Sequence, residues 1–368
     1  VVNGRELIAF ASNDYLGLAG AEPVVRAGIA ALQQSGSGAG ASRHITGNLA
    51  PHGELERALA VFCGVDAAVL FGSGMLANLG IISTLAGPGD AVFSDQLNHA
   101  SIIDGCRLSK AQVHVYRHND VDHLRHLLEA HPARRRLVVT DAIFSMDGDL
   151  ARLPELAALC QINDVMLMVD EAHALGVLGD GSGLCNATGV QPTVRMATLG
   201  KALGSYGAFA FGQKHVVDLL VNRARSVIFS TALPPSATAS ALAALAEIRQ
   251  GDRTARLLQL QSLMMRELRA RGLIQRLPAA LQSLSTLPSP IVPLVVGENL
   301  ACLRVAERLV EAGFLTVAIR PPTVPVGTAR LRITLNALHL DEDVIGLCAA
   351  LQRELQTPVA PQQELSAP

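Results

Sequence analysis

The feature that most constrains this chain is a continuous apolar run at 165–169 that ends in Asp170. Short apolar runs followed by polar residues are typical of strands that are buried on both faces of a parallel sheet. A second strand-like run at 193–197 is followed closely by Lys201. Because open α/β sheets bind ligands at the carboxyl ends of their strands, we predict that Asp170 and Lys201 lie at one ligand site.

An acid and a lysine in these positions suit pyridoxal 5′-phosphate (PLP). The lysine can form a Schiff base with the aldehyde of PLP, and the acid can pair with the pyridine nitrogen, so that the ring acts as an electron sink. Burial and a nearby cation both lower the pKa of a lysine, which favours the free amine. The alternative interpretation is a structural ion pair between Asp170 and Lys201.

A glycine turn at 72–74 separates a predicted strand at 67–71 from a helical run at 75–85. A strand, a glycine turn and a helix N-terminus together can bind phosphate through backbone N–H groups. Most such turns bind nothing. This turn is relevant because PLP needs one phosphate site.

His99 stands at a second junction between a predicted strand, at 90–94, and a helix that begins near Ser101. A histidine in this position commonly caps the helix or lies at the surface. The alternative is that its ring stacks flat on a cofactor ring.

Residues 1–50 are predicted to hold short elements and a polar, glycine-rich loop at 36–44. Composition alone is compatible with a flexible linker. It is equally compatible with a loop that approaches a ligand closely, with Arg43, His44 and Asn48 as polar contacts.

A predicted strand at 329–334 alternates Arg330 and Arg332 with apolar residues, so the two arginines share one face. One interpretation is a solvated outer face. The other is that one arginine binds a substrate carboxylate through two hydrogen bonds.

Composition excludes several classes of protein. A net charge of -2 and only 3% aromatic residues argue against a nucleic-acid or anionic-membrane partner. Six scattered cysteines without a Cys-x-x-Cys pair argue against disulfides and metal sites, and fit a reducing cytosol. There is no apolar run of membrane-spanning length and no signal peptide, so a cytoplasmic enzyme is expected.

The first residues already have a strand-and-turn pattern, and we expect the natural chain to begin further upstream.

Several longer motifs together resemble one family. The chain is similar to the PLP-dependent α-oxoamine synthases from Phe10 to about Leu351, in motifs at matching order and spacing. These motifs are SNDYLGLA, GSGAGASRHITGN, FSMDGDLARLPEL, MLMVDEAHALGVLGDGSG, ATLGKALGSYGAFAFG, IFSTALPPS and AIRPPTVPVGTARLRIT.

The resemblance implies an α/β, type I PLP-transferase (aspartate aminotransferase-like) fold. It implies a large, mainly parallel, seven-stranded domain, a small C-terminal α/β domain and a homodimer with a shared active site. We accordingly predict an N-terminal segment at 1–50, a large PLP-binding domain at 51–245 and a C-terminal domain with connecting helices at 246–356. The Pro- and Gln-rich tail at 357–368 is predicted to be disordered.

The resemblance also assigns roles to residues. Lys201 would hold PLP covalently, Asp170 would pair with its pyridine nitrogen, and His173 would contact its ring hydroxyl. His99 would stack on the ring, and these four residues would be the catalytic ones. The further cofactor residues would be Ser73, Gly74, Met75, Ser145, Thr198 and, from the partner subunit, Thr231. The substrate residues would be Asn48, Arg320, Thr323 and Arg332, the last of which would bind the amino-acid carboxylate.

The activity that the resemblance implies is a decarboxylative condensation of L-alanine with a pimeloyl thioester, pimeloyl-CoA or pimeloyl-ACP, in biotin biosynthesis. The runs FSMDGD and IRPPTVP favour this substrate pair. The alternatives in the family are glycine with acetyl-CoA, glycine with succinyl-CoA and serine with palmitoyl-CoA. A non-catalytic subunit is disfavoured because the lysine is kept, and a Rossmann dehydrogenase because no Gly-x-Gly-x-x-Gly opens the first βα unit.

Two features depart from the family pattern. Asp141 stands where members often have a glutamate, one methylene longer, so we expect a looser contact there. An upstream segment that can contribute an arginine to acyl binding in the family is not in this sequence.

Overall fold

The structure is a computed structural model that describes residues 4–356. The tail predicted at 357–368 lies outside the described residues. The described chain forms two compact units, one of residues 13–145 and 149–257, the other of residues 4–12, 146–148 and 258–356. The four-region division given above stays a prediction.

The described residues contain twelve strands. They are β1 (Ile8–Ala9), β2 (Ala67–Phe71), β3 (Ala91–Asp95), β4 (Gln112–Tyr116), β5 (Arg136–Asp141), β6 (Met166–Asp170), β7 (Val194–Thr198), β8 (Ala208–Gly212), β9 (Ile291–Gly297), β10 (Phe314–Leu315), β11 (Val317–Ile319) and β12 (Ala329–Thr334).

The same residues contain fourteen α-helices and a 3-10 turn at Ile274–Arg276. The helices are α1 (Glu22–Ser35), α2 (Ala50–Cys63), α3 (Gly74–Leu85), α4 (Ala100–Ser109), α5 (Val121–Ala130), α6 (Leu153–Ile162), α7 (Leu184–Thr188), α8 (Lys214–Arg223), α9 (Arg225–Ile228), α10 (Pro235–Gln250), α11 (Asp252–Ala270), α12 (Ala279–Gln282), α13 (Asn299–Glu311) and α14 (Asp341–Gln356).

The larger unit is built on a seven-stranded sheet with the strand order β2-β8-β7-β6-β5-β3-β4. The ladders between β4, β3, β5, β6 and β7 are all parallel, and only β8 runs antiparallel to its neighbours. The prediction of a mainly parallel, seven-stranded sheet is confirmed. Most of the apolar run at 165–169 belongs to β6, which lies in the interior of the sheet and is almost fully buried.

The reversal at β8 follows from the length of its connection. Residues 199–207 join β7 to β8 without a helix, and a parallel crossover needs a dozen or more residues. The chain therefore turns back, and Lys201 lies in this short loop. Two backbone hydrogen bonds close the loop, from Leu199 to Gly207 and from Ser205 to Leu199, both 2.9 Å long.

Apolar side chains on both faces of the sheet hold the larger unit together. One cluster packs α3, α4 and α8 against the strands, with Phe71, Ile81, Ile102, Met168 and Leu220 among its buried members. Burial of a side chain of this size contributes about 1.5–3 kcal/mol. Such a core fixes the strand ends that carry the polar residues.

The smaller unit contains the antiparallel sheet β11-β12-β9 and the parallel pair β1-β10. β12 is the central strand of its sheet, so Arg330 and Arg332 are buried, at 5% and 7% exposure. The interpretation of a solvated arginine face is therefore wrong. Arg330 forms an ion pair with Asp147, at 2.6 Å, and also donates to the Met146 carbonyl.

No helix within residues 4–356 combines the length and the apolar character needed to cross a membrane.

Candidate active site

A cavity of about 200 Å³ opens at the carboxyl ends of β5, β6 and β7 in the larger unit. This is the edge of the sheet at which the sequence predicted a ligand site. The residues that line it are Gly74, Met75, Asn78, His99, Ser101, Asp141, Asp170, Ala172, His173, Met196, Thr198 and Lys201. The structure thus brings together the four residues predicted to be catalytic, Lys201, His99, Asp170 and His173.

Asp170 is a buried carboxylate that is held in a fixed orientation. Its Oδ2 accepts a hydrogen bond from Asn78 Nδ2 at 2.8 Å, and its Oδ1 accepts one from the Ala172 backbone at 2.9 Å. Asn78 Nδ2 also donates to Ser101 Oγ at 2.8 Å. A carboxylate held in this way can pair with a protonated ring nitrogen without reorienting.

The next residue, Glu171, faces the opposite way and anchors the loop that follows β6. Its carboxylate accepts backbone hydrogen bonds from Leu184 and Cys185, at 2.7 and 3.0 Å. Burial raises the pKa of Glu171, although these hydrogen bonds oppose the shift. Asp170 therefore lines the cavity, whereas Glu171 anchors the loop that follows β6.

Lys201 is in direct contact with His173. Its Nζ lies 2.8 Å from His173 Nε2, and His173 Nδ1 lies 2.5 Å from the hydroxyl oxygen of Tyr15. Tyr15 is fully buried and His173 is 5% exposed. The ring of His173 is thus held from both of its nitrogens.

The loop that carries Tyr15 is fixed by its own sequence. The Asp14 carboxylate accepts hydrogen bonds from the backbone of Leu18 and Ala19, at 2.9 and 3.2 Å. Gly204, which follows Lys201 in the β7–β8 loop, has a φ of 59° and approaches this loop so closely that a Cβ there would lie 2.2 Å from the Ala19 nitrogen. Only glycine allows this approach of the two loops.

His99 precedes the first turn of α4 and is bound to Asp141 through its backbone. Its N–H donates to Asp141 Oδ2 at 2.8 Å, and its ring Nδ1 lies 2.7 Å from Ser101 Oγ. Burial and the neighbouring Asp170 carboxylate raise the pKa of Asp141 well above its usual range. Desolvation lowers the pKa of His99, and Lys201 adds to this shift while Asp170 opposes it. Asp141 thus accepts a hydrogen bond of ordinary length from the His99 backbone.

The N-terminus of α3 forms another wall of the cavity. Ser73 caps the helix, since its Oγ accepts a hydrogen bond from the Leu76 backbone at 3.2 Å. Gly74 and Met75 line the cavity, which brings the first helical amides to it. Helix N-termini of this kind bind phosphate.

The donor set fits PLP. A buried carboxylate suits the pyridine nitrogen, an amine suits the aldehyde, and a helix N-terminus suits the phosphate. Asn78 Oδ1 is buried beside Asp170 and has no hydrogen-bond partner among residues 4–356, as expected where a bound group completes the site.

Four predicted residues of the larger unit lie outside the set that lines this cavity, namely Ser73, which caps α3, and Asn48, Thr231 and Ser145. Asn48 accepts a hydrogen bond at 2.8 Å from Arg43, which also pairs with Glu56. Thr231 is exposed and lines a separate cavity together with Arg43. Ser145 lies four residues beyond Asp141, on the loop that follows β5. Thr198 does line the cavity, and its hydroxyl bonds to Gly207 O and Gly200 N.

The remaining predicted residues lie in the smaller unit. Arg332 is buried in the central strand β12. Arg320 and Thr323 are exposed and belong to one turn, in which the Thr323 N–H donates to the Arg320 carbonyl at 3.1 Å.

Sequence reasoning assigned no role to Tyr15, Asn78 or Ser101. Asn78 carries a detectable signal, because it is the polar exception among the apolar residues that begin α3. Tyr15 stands in the motif SNDYLGLA, but nothing in the spacing points to His173.

The sheet, the lysine in the β7–β8 loop and the acid at the end of β6 define a PLP-dependent transferase. A family model described as aminotransferase class I and II matches residues 5–351, and the chain belongs to this family. More particularly, its relatives include 8-amino-7-oxononanoate synthases. The one from Anaeromyxobacter sp. (strain K) is 52% identical over 355 residues, which is 95% of this chain and 87% of that protein.

Solved structures agree on the fold. Serine palmitoyltransferase from Sphingomonas wittichii superimposes with a TM-score of 0.90 and 33% identity, over 96% of this chain and 88% of that one. 8-Amino-7-oxononanoate synthase from Francisella tularensis superimposes with a TM-score of 0.80 and 28% identity, over 95% and 98%. The prediction of a type I PLP-transferase fold is confirmed.

Proposed function

We propose that this chain condenses L-alanine with a pimeloyl thioester to give 8-amino-7-oxononanoate. A carbon–carbon bond forms between the alanine α-carbon and the thioester carbonyl, the thiol leaves, and the alanine carboxyl group leaves as carbon dioxide. The carrier of the pimeloyl group, CoA or acyl carrier protein, and a cytosolic location are parts of this proposal. The observation that carries it is the cavity shared by Lys201, Asp170 and His173, in a chain about half identical to named synthases.

When bound, PLP supplies an aldehyde that takes up an amino group and a ring that stabilises a carbanion at the adjacent carbon. Asp170 would hold the proton on the pyridine nitrogen, because its carboxylate is buried and already oriented by Asn78. The N-terminus of α3 and Ser73 would hold the phosphate. His99 is exposed and immediately precedes α4, and its side chain would stack on the pyridine ring of PLP.

Lys201 would have two roles in this proposal. Its amine would hold the cofactor in the resting enzyme, and as a free amine it would take the proton from the α-carbon of alanine. His173, whose Nε2 lies 2.8 Å from Nζ, is placed to exchange a proton with it. His173 would also contact the ring hydroxyl of PLP.

Arg332 is our proposal for the alanine carboxylate. A buried guanidinium has high affinity for a carboxylate, which it binds through two parallel hydrogen bonds. Arg330, on the same strand, forms an ion pair with Asp147 and donates to the Met146 carbonyl. Arg320, Thr323 and Ser145 would line the substrate site, and Asn48 would join them.

We also propose a homodimer, with Thr231 of one subunit completing the site of the other. Large apolar side chains are exposed on the unit that holds Lys201, including Ile45 at 75% and Phe229 at 70%. Tyr206, in the loop of Lys201, is exposed as well. Analytical ultracentrifugation should give a dimer, and Phe229→Asp should weaken it. A wild-type monomer at micromolar concentration would contradict this part of the proposal.

Product analysis by mass spectrometry tests the proposed activity. The protein with PLP is incubated with alanine, glycine or serine against pimeloyl-, acetyl-, succinyl- and palmitoyl-CoA. We expect 8-amino-7-oxononanoate from alanine with pimeloyl-CoA alone. Serine with palmitoyl-CoA is included because serine palmitoyltransferases have the same fold at a TM-score of 0.90, and a product from that pair would overturn the substrate assignment.

A further inference from the structure

Tyr15, His173 and Lys201 form a polar chain from three distant parts of the sequence. Lys201 Nζ lies 2.8 Å from His173 Nε2, and His173 Nδ1 lies 2.5 Å from Tyr15 Oη. The Tyr15 hydroxyl donates to Asn13 Oδ1 at 3.2 Å. These hydrogen bonds therefore connect the Lys201 amine in the cavity to a buried tyrosine that is absent from the cavity lining.

The direction of each hydrogen bond follows from the chemistry of the groups. An amide oxygen can only accept, so Tyr15 gives its one proton to Asn13. The Tyr15 oxygen then accepts from His173, which requires a proton on Nδ1. A neutral imidazole with its proton on Nδ1 has a lone pair on Nε2. Nε2 is thus an acceptor, and it faces the lysine amine.

We propose that Tyr15 is a positioning residue that holds His173 in this tautomer, so that Nε2 takes a proton from the Lys201 ammonium. The N–H bond at Nζ breaks, an N–H bond forms at Nε2, and the positive charge moves to the imidazole ring. Tyr15 continues to accept from Nδ1 throughout. The result is a neutral Lys201, which the proposed function needs, and the inference rests on that function.

Removal of the hydroxyl should reverse the tautomer. In Tyr15→Phe the buried Nδ1–H of His173 would lose its hydrogen bond to Tyr15, which costs about 1–3 kcal/mol. The ring would instead place its proton on Nε2, which can then no longer accept from Lys201. The other titratable groups of the cavity, Asp141, Asp170 and His99, are unchanged by this substitution.

The first test measures how fast the PLP-free protein captures PLP, followed by the visible absorbance of the bound cofactor. Tyr15→Phe should slow capture at pH 7 by at least about tenfold. Near pH 10, close to the ordinary pKa of a lysine, the variant and the wild type should converge. Equal rates at pH 7, or an equal loss at both pH values, would overturn the proposal.

Tyr116→Phe is the matched control for this test. Tyr116 is also fully buried, but it ends β4, which two strands separate from β6. Its variant should capture PLP at the wild-type rate at both pH values. A wild-type protein that captures no PLP at any pH would instead contradict the proposed function.

The second test is independent of the cofactor. In ¹⁵N-histidine NMR of the PLP-free protein, the signal that His173→Gln removes should be that of a ring protonated at Nδ1. The same signal should change to the Nε2-protonated form in Tyr15→Phe and stay unchanged in Tyr116→Phe. An Nε2-protonated His173 in the wild type would overturn the proposal.

Discussion

Asp141 Oδ2 lies 2.8 Å from the backbone nitrogen of His99 and accepts its hydrogen bond. Asp141 ends β5 and His99 immediately precedes α4, so this bond fixes the distance between two elements that form the cavity. Asn98 reinforces it, because its Oδ1 accepts from the Asp141 backbone at 2.9 Å and its Nδ2 donates to Val139 O at 2.8 Å. The position of His99 is therefore set by its main chain.

This bond predicts that Asp141 acts as an acceptor and not as a charge. Its pKa is raised well above the usual range, so the neutral Asp141→Asn should keep PLP affinity within about threefold of the wild type. Asp141→Ala leaves the His99 N–H unpaired at a cost of about 1–3 kcal/mol and should weaken PLP binding about tenfold. Absorbance titration with PLP measures both. An asparagine variant as weak as the alanine variant would show that the charge is required.

The chain has three lysines, which makes the assignment of Lys201 easy to test. After incubation with PLP and reduction with borohydride, peptide mapping should find the label on Lys201, the only lysine in the cavity lining. Lys110 and Lys214 serve as internal controls, and Lys214 is exposed in an ion pair with Asp218. Label spread over all three lysines would contradict the site.

His118 predicts a pH dependence of stability. Desolvation would lower its pKa, but hydrogen bonds to Asp149 and Asp95, at 2.9 and 3.0 Å, raise the pKa to about 10. The folded state therefore binds the proton more tightly, and the stabilisation is complete below about pH 6.5 and lost as pH rises to about 10. His118→Gln should lower the free energy of unfolding by about 3 kcal/mol at pH 6.

Urea unfolding at several pH values measures this effect. The difference between wild type and His118→Gln should shrink steadily from pH 6.5 upwards. His215→Gln, an exposed histidine on α8, should match the wild type at every pH. A difference that stays constant up to pH 10 would contradict the role of the His118 charge.

Gly183 is predicted to be intolerant of any side chain. It has a φ of 104°, and an added Cβ would lie 2.4 Å from the buried Glu171 Oε2. Gly183→Ala should destabilise the protein by about 3 kcal/mol or more, because the carboxylate cannot move without losing its bonds to the loop. Gly189→Ala is the control, since that glycine has a φ of 68° and open space around it, and should cost only about 1–2 kcal/mol. Equal losses in the two variants would argue against the contact with Glu171.

The sequence predicted the centre of the site because each signal for it lies within a short stretch of residues. A strand at 165–169 and a strand at 193–197 were expected, and the structure has β6 and β7 one residue later. Asp170 and Lys201 stand out because a charged residue at the end of a buried strand, or a few residues beyond it, has few explanations. The glycine turn before α3 was detectable because it stands between a strand pattern and a helix pattern.

Other parts of the molecule depend on contacts that local patterns do not encode. Tyr15 meets His173 across 158 residues of sequence, and only the packing of the two loops brings them together. Helix α1 was missed because three of its large apolar residues, Val25, Ile29 and Leu32, are exposed and blur its pattern. Arg330 and Arg332 alternate like a solvated face, yet β12 is a central strand, and pairing with Asp147 stabilises Arg330 there.

The most direct test of the account follows carboxyl-labelled [1-¹³C]alanine through the wild type, Lys201→Ala and Lys214→Ala, each with PLP and pimeloyl-CoA. Wild type and Lys214→Ala should release labelled carbon dioxide and 8-amino-7-oxononanoate in equal amounts, and Lys201→Ala should give neither. Product formation by Lys201→Ala at the wild-type rate, or a product that keeps the labelled carboxyl group, would contradict the central claim that Lys201 carries a decarboxylative condensation of alanine.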